Sequence, residues 1–129
     1  MEYKKFYNTE LFEFKKFYNL EEIEKYYNEK TNTYSFEENG MILNVIFMFD
    51  LKTTSNIFAN NIIAQDIECL NISASNIDAF NINTISIIAN DIYALVVNVS
   101  DKIVYSGMLN IRRSINCGKL VYNKLSNWW

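Results

Sequence analysis

The sequence predicts a mainly β protein: a short parallel β-helix capped by an N-terminal segment of mixed α and β structure. Three observations lead to this fold class. A large apolar residue returns every five positions through the middle of the chain, Asn or Asp precedes most of these residues, and a small residue follows two positions later. With 129 residues, the chain can build one modest core.

The repeat runs from Ser55 to Val99 and has the unit [Asn/Asp]-Ile-x-Ala-x. Each large apolar residue is followed by a small or compact one, from Ala59 to Val99. The large apolar residues stand five apart at nine consecutive positions without a polar interruption. We predict that these nine form the solenoid core: Ile57, Ile62, Ile67, Ile72, Ile77, Ile82, Ile87, Ile92 and Val97.

A period of five excludes the ordinary elements. Five residues advance an α-helix by about 500°, which scatters the Ile residues around the axis. In a straight strand an odd step sends successive residues to opposite faces. The Ile residues stay on one side only if the chain turns a corner every five residues, with Asn or Asp satisfying the bent backbone.

The stretch 55–99 resembles the pentapeptide-repeat family in its period and in the Asn or Asp before the large apolar residue. That family winds into a right-handed quadrilateral β-helix with four pentapeptides per coil, so the resemblance implies the same geometry here. The small residue lies two positions after the apolar residue and not two before it. With the small residue in this position, the repeat is similar to the Asn/Asp-Ile-x-Ala-x repeats in uncharacterised proteins of phages and mobile elements of low-GC bacteria.

The flanks of the repeat are expected to cover the strand edges that a short solenoid leaves open. We predict a helix and hairpin cap at 1–50, the solenoid at 51–100, and a C-terminal cap and tail at 101–129. Trp128 and Trp129 end this tail, either as packed residues or as interface anchors.

The N-terminal cap contains a predicted helix over 20–27, with Asn19 as its N-cap. Leu20, Ile23 and Tyr27 would share its buried face. The alternative is an aromatic docking surface, in which Tyr26 and Tyr27 contact a partner.

Asn39-Gly40 is typical of a two-residue hairpin turn. The arms of this hairpin would be 31–37 and 41–49. The second arm is so apolar that we expect it to be buried on both faces.

The composition argues against an enzyme. The chain has no His, its three Gly are isolated, and Cys69 and Cys117 are expected to be reduced thiols. We therefore predict no cofactor, no metal site and no catalytic residue. The carboxylates of the repeat are explained as corner and outward residues. No export signal or membrane span is visible, so a cytoplasmic location is expected.

The charge pattern favours a protein partner over nucleic acid. The net charge is −3, the stretch 55–99 has no Lys or Arg, and Arg112-Arg113 alone would make few phosphate contacts. Glu68 and Asp78 are expected to face outward and to steer a partner. The outward apolar residues Phe80, Ile85 and Ile88 must be covered by the N-terminal helix, by a partner or by a second copy, and we predict a two-fold homodimer.

Two functional classes follow. The first is a non-catalytic binding protein. The resemblance of the repeat to phage proteins implies that this protein inhibits a host nuclease or another nucleic-acid enzyme, in an anti-defence or anti-CRISPR role. Pentapeptide-repeat proteins that protect DNA gyrase imitate duplex DNA, but the acids of this repeat are too sparse for such mimicry. The alternative is a self-assembling structural scaffold.

Overall fold

The computed structural model describes residues 13–123, of which 65% lie in β-strands. Most strands pair in parallel to form a β-solenoid of about five turns, which confirms the predicted fold class. No helix in this range is long and apolar enough to cross a membrane. The strands are β1 (Phe14–Phe17), β2 (Tyr27–Asn28), β3 (Thr33–Ser35), β4 (Glu37–Glu38), β5 (Met41–Ile42), β6 (Asn44–Phe47), β7 (Leu51–Lys52), β8 (Asn56–Phe58), β9 (Asn61–Ile63), β10 (Asp66–Glu68), β11 (Asn71–Ser73), β12 (Asn76–Asp78), β13 (Asn81–Ala89), β14 (Asp91–Tyr105) and β15 (Leu109–Tyr122).

Three pentapeptides, not four, complete one coil of the repeat. Ile72 pairs with Ile57 on one side and with Ile87 on the other, and side-chain hydrogen bonds join residues 15 positions apart. The coil size implied by the family resemblance is therefore wrong for this chain. A five-residue period requires a corner after each short strand, but only the pairing register decides how many corners close a coil.

The solenoid consequently has three faces, and the strands of each face stack in order from its N-terminal end. The first face contains β3, β8, β11 and the last parts of β13, β14 and β15. The second contains β1, β6, β9, β12 and the first parts of β14 and β15. The third contains β7, β10, the first part of β13 and the middle parts of β14 and β15.

The core is a set of apolar columns that run along the solenoid axis. All nine large apolar residues of the repeat are buried, and so are the small residues from Ala59 to Val99 that accompany them. Each fully buried Ile contributes roughly 2–3 kcal/mol of transfer free energy. Small residues are needed beside them because the interior of a narrow triangle has little room near its corners.

Polar side chains stack along the outside of the strands. The Nδ2 of Asn71 donates to the Oδ1 of Asn56 at 2.9 Å, and the Nδ2 of Asn81 donates to Asp66 at 2.6 Å. An amide can donate to one neighbour and accept from the next, so the same residue type can be repeated on successive coils. This explains the Asn and Asp that precede the core Ile residues.

The parallel stack extends beyond the repeat on its N-terminal side. Asn39 and Gly40 have positive φ angles of 53° and 76°, as expected for the turn, but the hairpin contains only β4 and β5. The remainder of each predicted arm joins a different face. Met41 is 70% exposed, so the prediction of a fully buried second arm is wrong at its start, whereas Val45, Ile46 and Phe47 are buried.

The predicted helix is a single 3-10 helix, Leu20–Tyr26. Asn19 is its N-cap, as predicted, and the Asn19 Oδ1 accepts from the backbone N–H of Glu22 at 3.1 Å. A 3-10 helix has three residues per turn, so Ile23 and Tyr26 share the buried face. Of the predicted face, Ile23 is buried, whereas Leu20 and Tyr27 are 42% and 40% exposed.

An aromatic cluster closes the N-terminal end of the core. Phe36 is fully buried, and its ring centroid lies 5.5 Å from those of Phe17 and Phe47 and 5.1 Å from that of Tyr26. Glu38 accepts hydrogen bonds from the hydroxyl of Tyr26 and from Lys15 Nζ. These two bonds, with that of Tyr26 the stronger influence, lower the pKa of the Glu38 carboxyl, so their stabilising effect is lost as the pH falls through that pKa.

Beyond the repeat, the coils become longer. Ile87 pairs with Ile103, Ile103 pairs with Leu120, and Val97 pairs with Ile115, so paired residues lie 16, 17 or 18 positions apart in place of 15. Register shifts between Thr84 and Ser86, between Ala94 and Val96, and between Val99 and Lys102 accommodate the changes in coil length. The five-residue period therefore disappears from the sequence while the solenoid continues.

Candidate functional site

The two acids predicted to contact a partner lie on different faces. Glu68 is on the outer side of the third face, where its carboxylate lies 4.0 Å from Lys52 Nζ and is 51% exposed. Asp78 lies on the outer side of the second face, between Ile63 and Tyr93, but only 5% of it is exposed. The expectation of an accessible acid at Asp78 is wrong, because Asp78 is buried, as is its outward-facing neighbour Ile63.

The two tyrosines proposed for partner binding also differ. Tyr26 packs edge-on against Phe17 in the aromatic cluster and is 7% exposed, so it is a cap residue and not a surface residue. Tyr27 is 40% exposed, and its ring lies 5.0 Å from that of Tyr34. The Tyr27 hydroxyl donates to Asn32 Oδ1 at 2.8 Å.

The three residues of the predicted dimer patch do not share one face. Phe80 occupies the corner between the second and third faces, where its backbone N–H donates to Gln65. Ile85 occupies the next corner, stacked on Leu70. Ile88 points outward from the first face. Positions 80 and 85 are successive corners of a three-sided coil, so the third face separates them.

An open groove of about 600 Å³ crosses the outer side of the first face. Asn28 and Thr31, at the turn of the β2–β3 hairpin, lie at one end of the groove. All the lining residues are uncharged: Asn28, Thr31, Thr33, Ser35, Asn56, Ile57, Phe58, Asn71, Ile72, Ser73, Ser86 and Ile88. The groove therefore offers amide, hydroxyl and apolar contacts but no acid or base.

Two parallel columns shape this first-face groove. The apolar column contains Phe58 and Ile88, and the small Ser73 between them leaves a depression. The polar column contains Asn56, Asn71 and Ser86 in consecutive coils. Val104 and Val121 continue the apolar column toward the C-terminal end of the solenoid.

Sequence reasoning identified Ile88 but missed Phe58 and Ser73. All three residues directly follow a core Ile, and they are spaced by one full coil. Comparing outward residues at a spacing of 15 would have found this column. That comparison requires the number of repeats per coil, which the five-residue period does not provide.

Metal-ligating side chains do not cluster between Glu13 and Asn123. Within that range no three His, Cys, Asp or Glu residues lie close enough to hold a metal ion. The Cys69 thiol faces the core, with its Sγ 3.8 Å from the Oγ1 of Thr84. Burial raises the pKa of Cys69 to about 12, so the thiol stays protonated near neutral pH.

This environment leads to a labelling prediction. At about pH 8, a thiol reagent should modify the partly exposed Cys117 in the folded protein and leave Cys69 intact, because alkylation requires the thiolate. Peptide mass spectrometry of the alkylated chain measures both sites, and unfolding in guanidinium should make both reactive. Equal labelling rates in the folded protein would contradict the buried position of Cys69.

Comparisons with known proteins identify no relative of this chain. No protein-family model matches the chain, and no curated protein or solved structure shows significant similarity to it. Trp128 and Trp129 lie outside the described residues. The site assignment therefore depends on the groove and on the solenoid that forms it.

Proposed function

We propose that this protein is a non-catalytic binding module that holds an uncharged segment of a protein partner in the first-face groove. The main observation behind the proposal is the partly exposed apolar column beside a hydrogen-bonding polar column. Ile88 is 39% exposed on the parallel sheet of this face, where it would lose contact with water in a complex. The Asn and Ser side chains beside it can bond a peptide backbone without any charge.

The rigidity of the groove supports this proposal. Its floor is formed by strands whose neighbours on both sides are hydrogen-bonded, and the core Ile residues beneath are fully packed. Such a surface loses little conformational entropy when a partner docks. The resemblance to repeat proteins of phages suggests a host nuclease or another nucleic-acid enzyme as the first partner class to test.

The test uses two exposed isoleucines on the same coil. Ile88→Glu places a charge in the groove, whereas Ile85→Glu places the same charge on a neighbouring corner that is 42% exposed. We expect Ile88→Glu to weaken partner binding at least about tenfold, because a carboxylate must be desolvated on docking. Ile85→Glu should bind as the wild type does, and both variants should keep the wild-type melting temperature.

Binding would be measured by titration with purified host nucleases and by quantitative capture from a host lysate. Equal loss in both variants would place the contact elsewhere. Turnover of a nucleic acid or another substrate by the purified protein alone would refute the non-catalytic role.

A self-assembling scaffold is the second candidate, and one observation favours it. In the last coil, Ile115 and Leu120 occupy core positions but are 40% and 46% exposed. Such exposure is expected at a solenoid end on which another coil can stack. Sedimentation at tens of micromolar distinguishes the candidates: a single 15.2 kDa species excludes the scaffold and the homodimer, whereas concentration-dependent growth favours them.

A further inference from the structure

Within residues 13–123, the last strand of the solenoid is paired along one edge only. β15 pairs with β14 along one side, and no other strand of the described chain pairs with it. This edge is 14 residues long and winds across all three faces. Unpaired N–H and C=O groups along such an edge are ready to accept another strand.

The core is also open at this edge. Ile115 continues the column of Val97, and Leu120 continues that of Ile103. Val97 and Ile103 are fully buried, whereas Ile115 and Leu120 are 40% and 46% exposed. A further strand laid on β15 would cover these two side chains and extend the apolar columns by one layer.

The charge of this end differs from that of the rest of the solenoid. β15 carries Arg112, Arg113 and Lys119 and no acid, although the whole chain has a net charge of −3. All three cations are exposed, and none forms an ion pair among residues 13–123. The arginines lie at the corner before the third face, and Lys119 begins the first face, so residues 114–117 run between the two positive sites.

We propose that the β15 edge binds an extended acidic strand of another protein by β-strand addition. Backbone hydrogen bonds would form along 114–117, an apolar partner residue would cover Ile115, and carboxylates would pair with Arg112, Arg113 and Lys119. This surface is separate from the first-face groove, so the inference goes beyond the proposed function and each can fail alone.

Other occupants fit the edge less well. A second copy that docks by the same edge would bring two sets of three cations together. A nucleic acid would satisfy the cations, but it has no backbone amides to complete the strand edge and no side chains to cover Ile115 and Leu120. An acidic strand satisfies all three features at once.

The test selects random linear peptides by display on the immobilised full chain, wild type and Arg112→Glu/Arg113→Glu. Selection on the wild type should yield peptides with acidic residues flanking alternating apolar ones. The affinity of a selected peptide should fall about tenfold or more in the variant. Lys16→Glu/Lys30→Glu reverses two exposed cations at the other end of the chain and should bind as the wild type does.

Hydrogen exchange locates the contact. In the free protein the outward amides of β15 should exchange fast, and the selected peptide should protect them without protecting β8 or β11. Several results would overturn the proposal: amides of β15 already protected in the free chain, peptides without acids, or equal binding to both variants. Tighter binding of duplex DNA would also overturn it, as would self-association that the Arg112→Glu/Arg113→Glu variant abolishes.

Discussion

Replacing Ile77 by asparagine should lower the free energy of unfolding by about 4 kcal/mol, combining the lost burial with an unsatisfied amide. Ile77 has no exposed surface and lies between Ile62 and Ile92 in the column of the second face. The column is dry and apolar, so the new amide finds no partner. Small domains have a free energy of unfolding of only about 5–15 kcal/mol. The midpoint of unfolding should therefore lie at a much lower urea concentration in the variant than in the wild type.

Urea unfolding followed by far-ultraviolet circular dichroism measures this effect. Ile85→Asn is the matched control, since Ile85 is 42% exposed at a corner and its replacement should change stability by less than about 0.5 kcal/mol. Wild-type stability of Ile77→Asn, or a spectrum dominated by helix, would refute the solenoid core.

Replacing Phe36 by alanine should cost about 4 kcal/mol, because it removes the central ring of the aromatic cluster and leaves a cavity. Phe36 is fully buried and contacts the rings of Phe17, Tyr26 and Phe47. The N-terminal end of the core Ile columns would then no longer be covered by a closely packed aromatic cluster. We expect β6 and β8, which follow β1 and β3 at this end, to lose hydrogen-exchange protection before β13 does.

Tyr18→Ala provides the control for the aromatic cluster. Tyr18 is adjacent to Phe17 in sequence but 57% exposed, so its removal should be nearly neutral. Thermal unfolding of both variants measures the difference in stability. If Phe36→Ala and Tyr18→Ala melt together, the cluster does not close the core.

The repeat was predictable because its signal is local. An apolar residue at every fifth position, from Ile57 to Val97, requires regular corners whatever the remainder of the chain does. Asn19 as an N-cap and Asn39-Gly40 as a turn were predictable for the same reason, since each depends on a few neighbouring residues.

The surface was less predictable because it depends on pairing between coils. Phe80, Ile85 and Ile88 are close in sequence, yet a three-sided coil sends them to two corners and one face. Phe58 and Ile88 are 30 residues apart and share one column, since two coils separate them. Asp78 repeats the position of Glu68 in the pentapeptide but is buried, because the two lie on different faces.

The sequence by itself determined that this chain forms a β-solenoid and which residues of the repeat enter its core, since inward direction follows from a five-residue period. Only the tertiary structure decided that three repeats close a coil and that the coils continue to Tyr122 after the period is lost. The physical reason is that side-chain direction is a property of each short strand. The number of sides, and therefore every surface, comes from hydrogen bonding between strands one full coil apart.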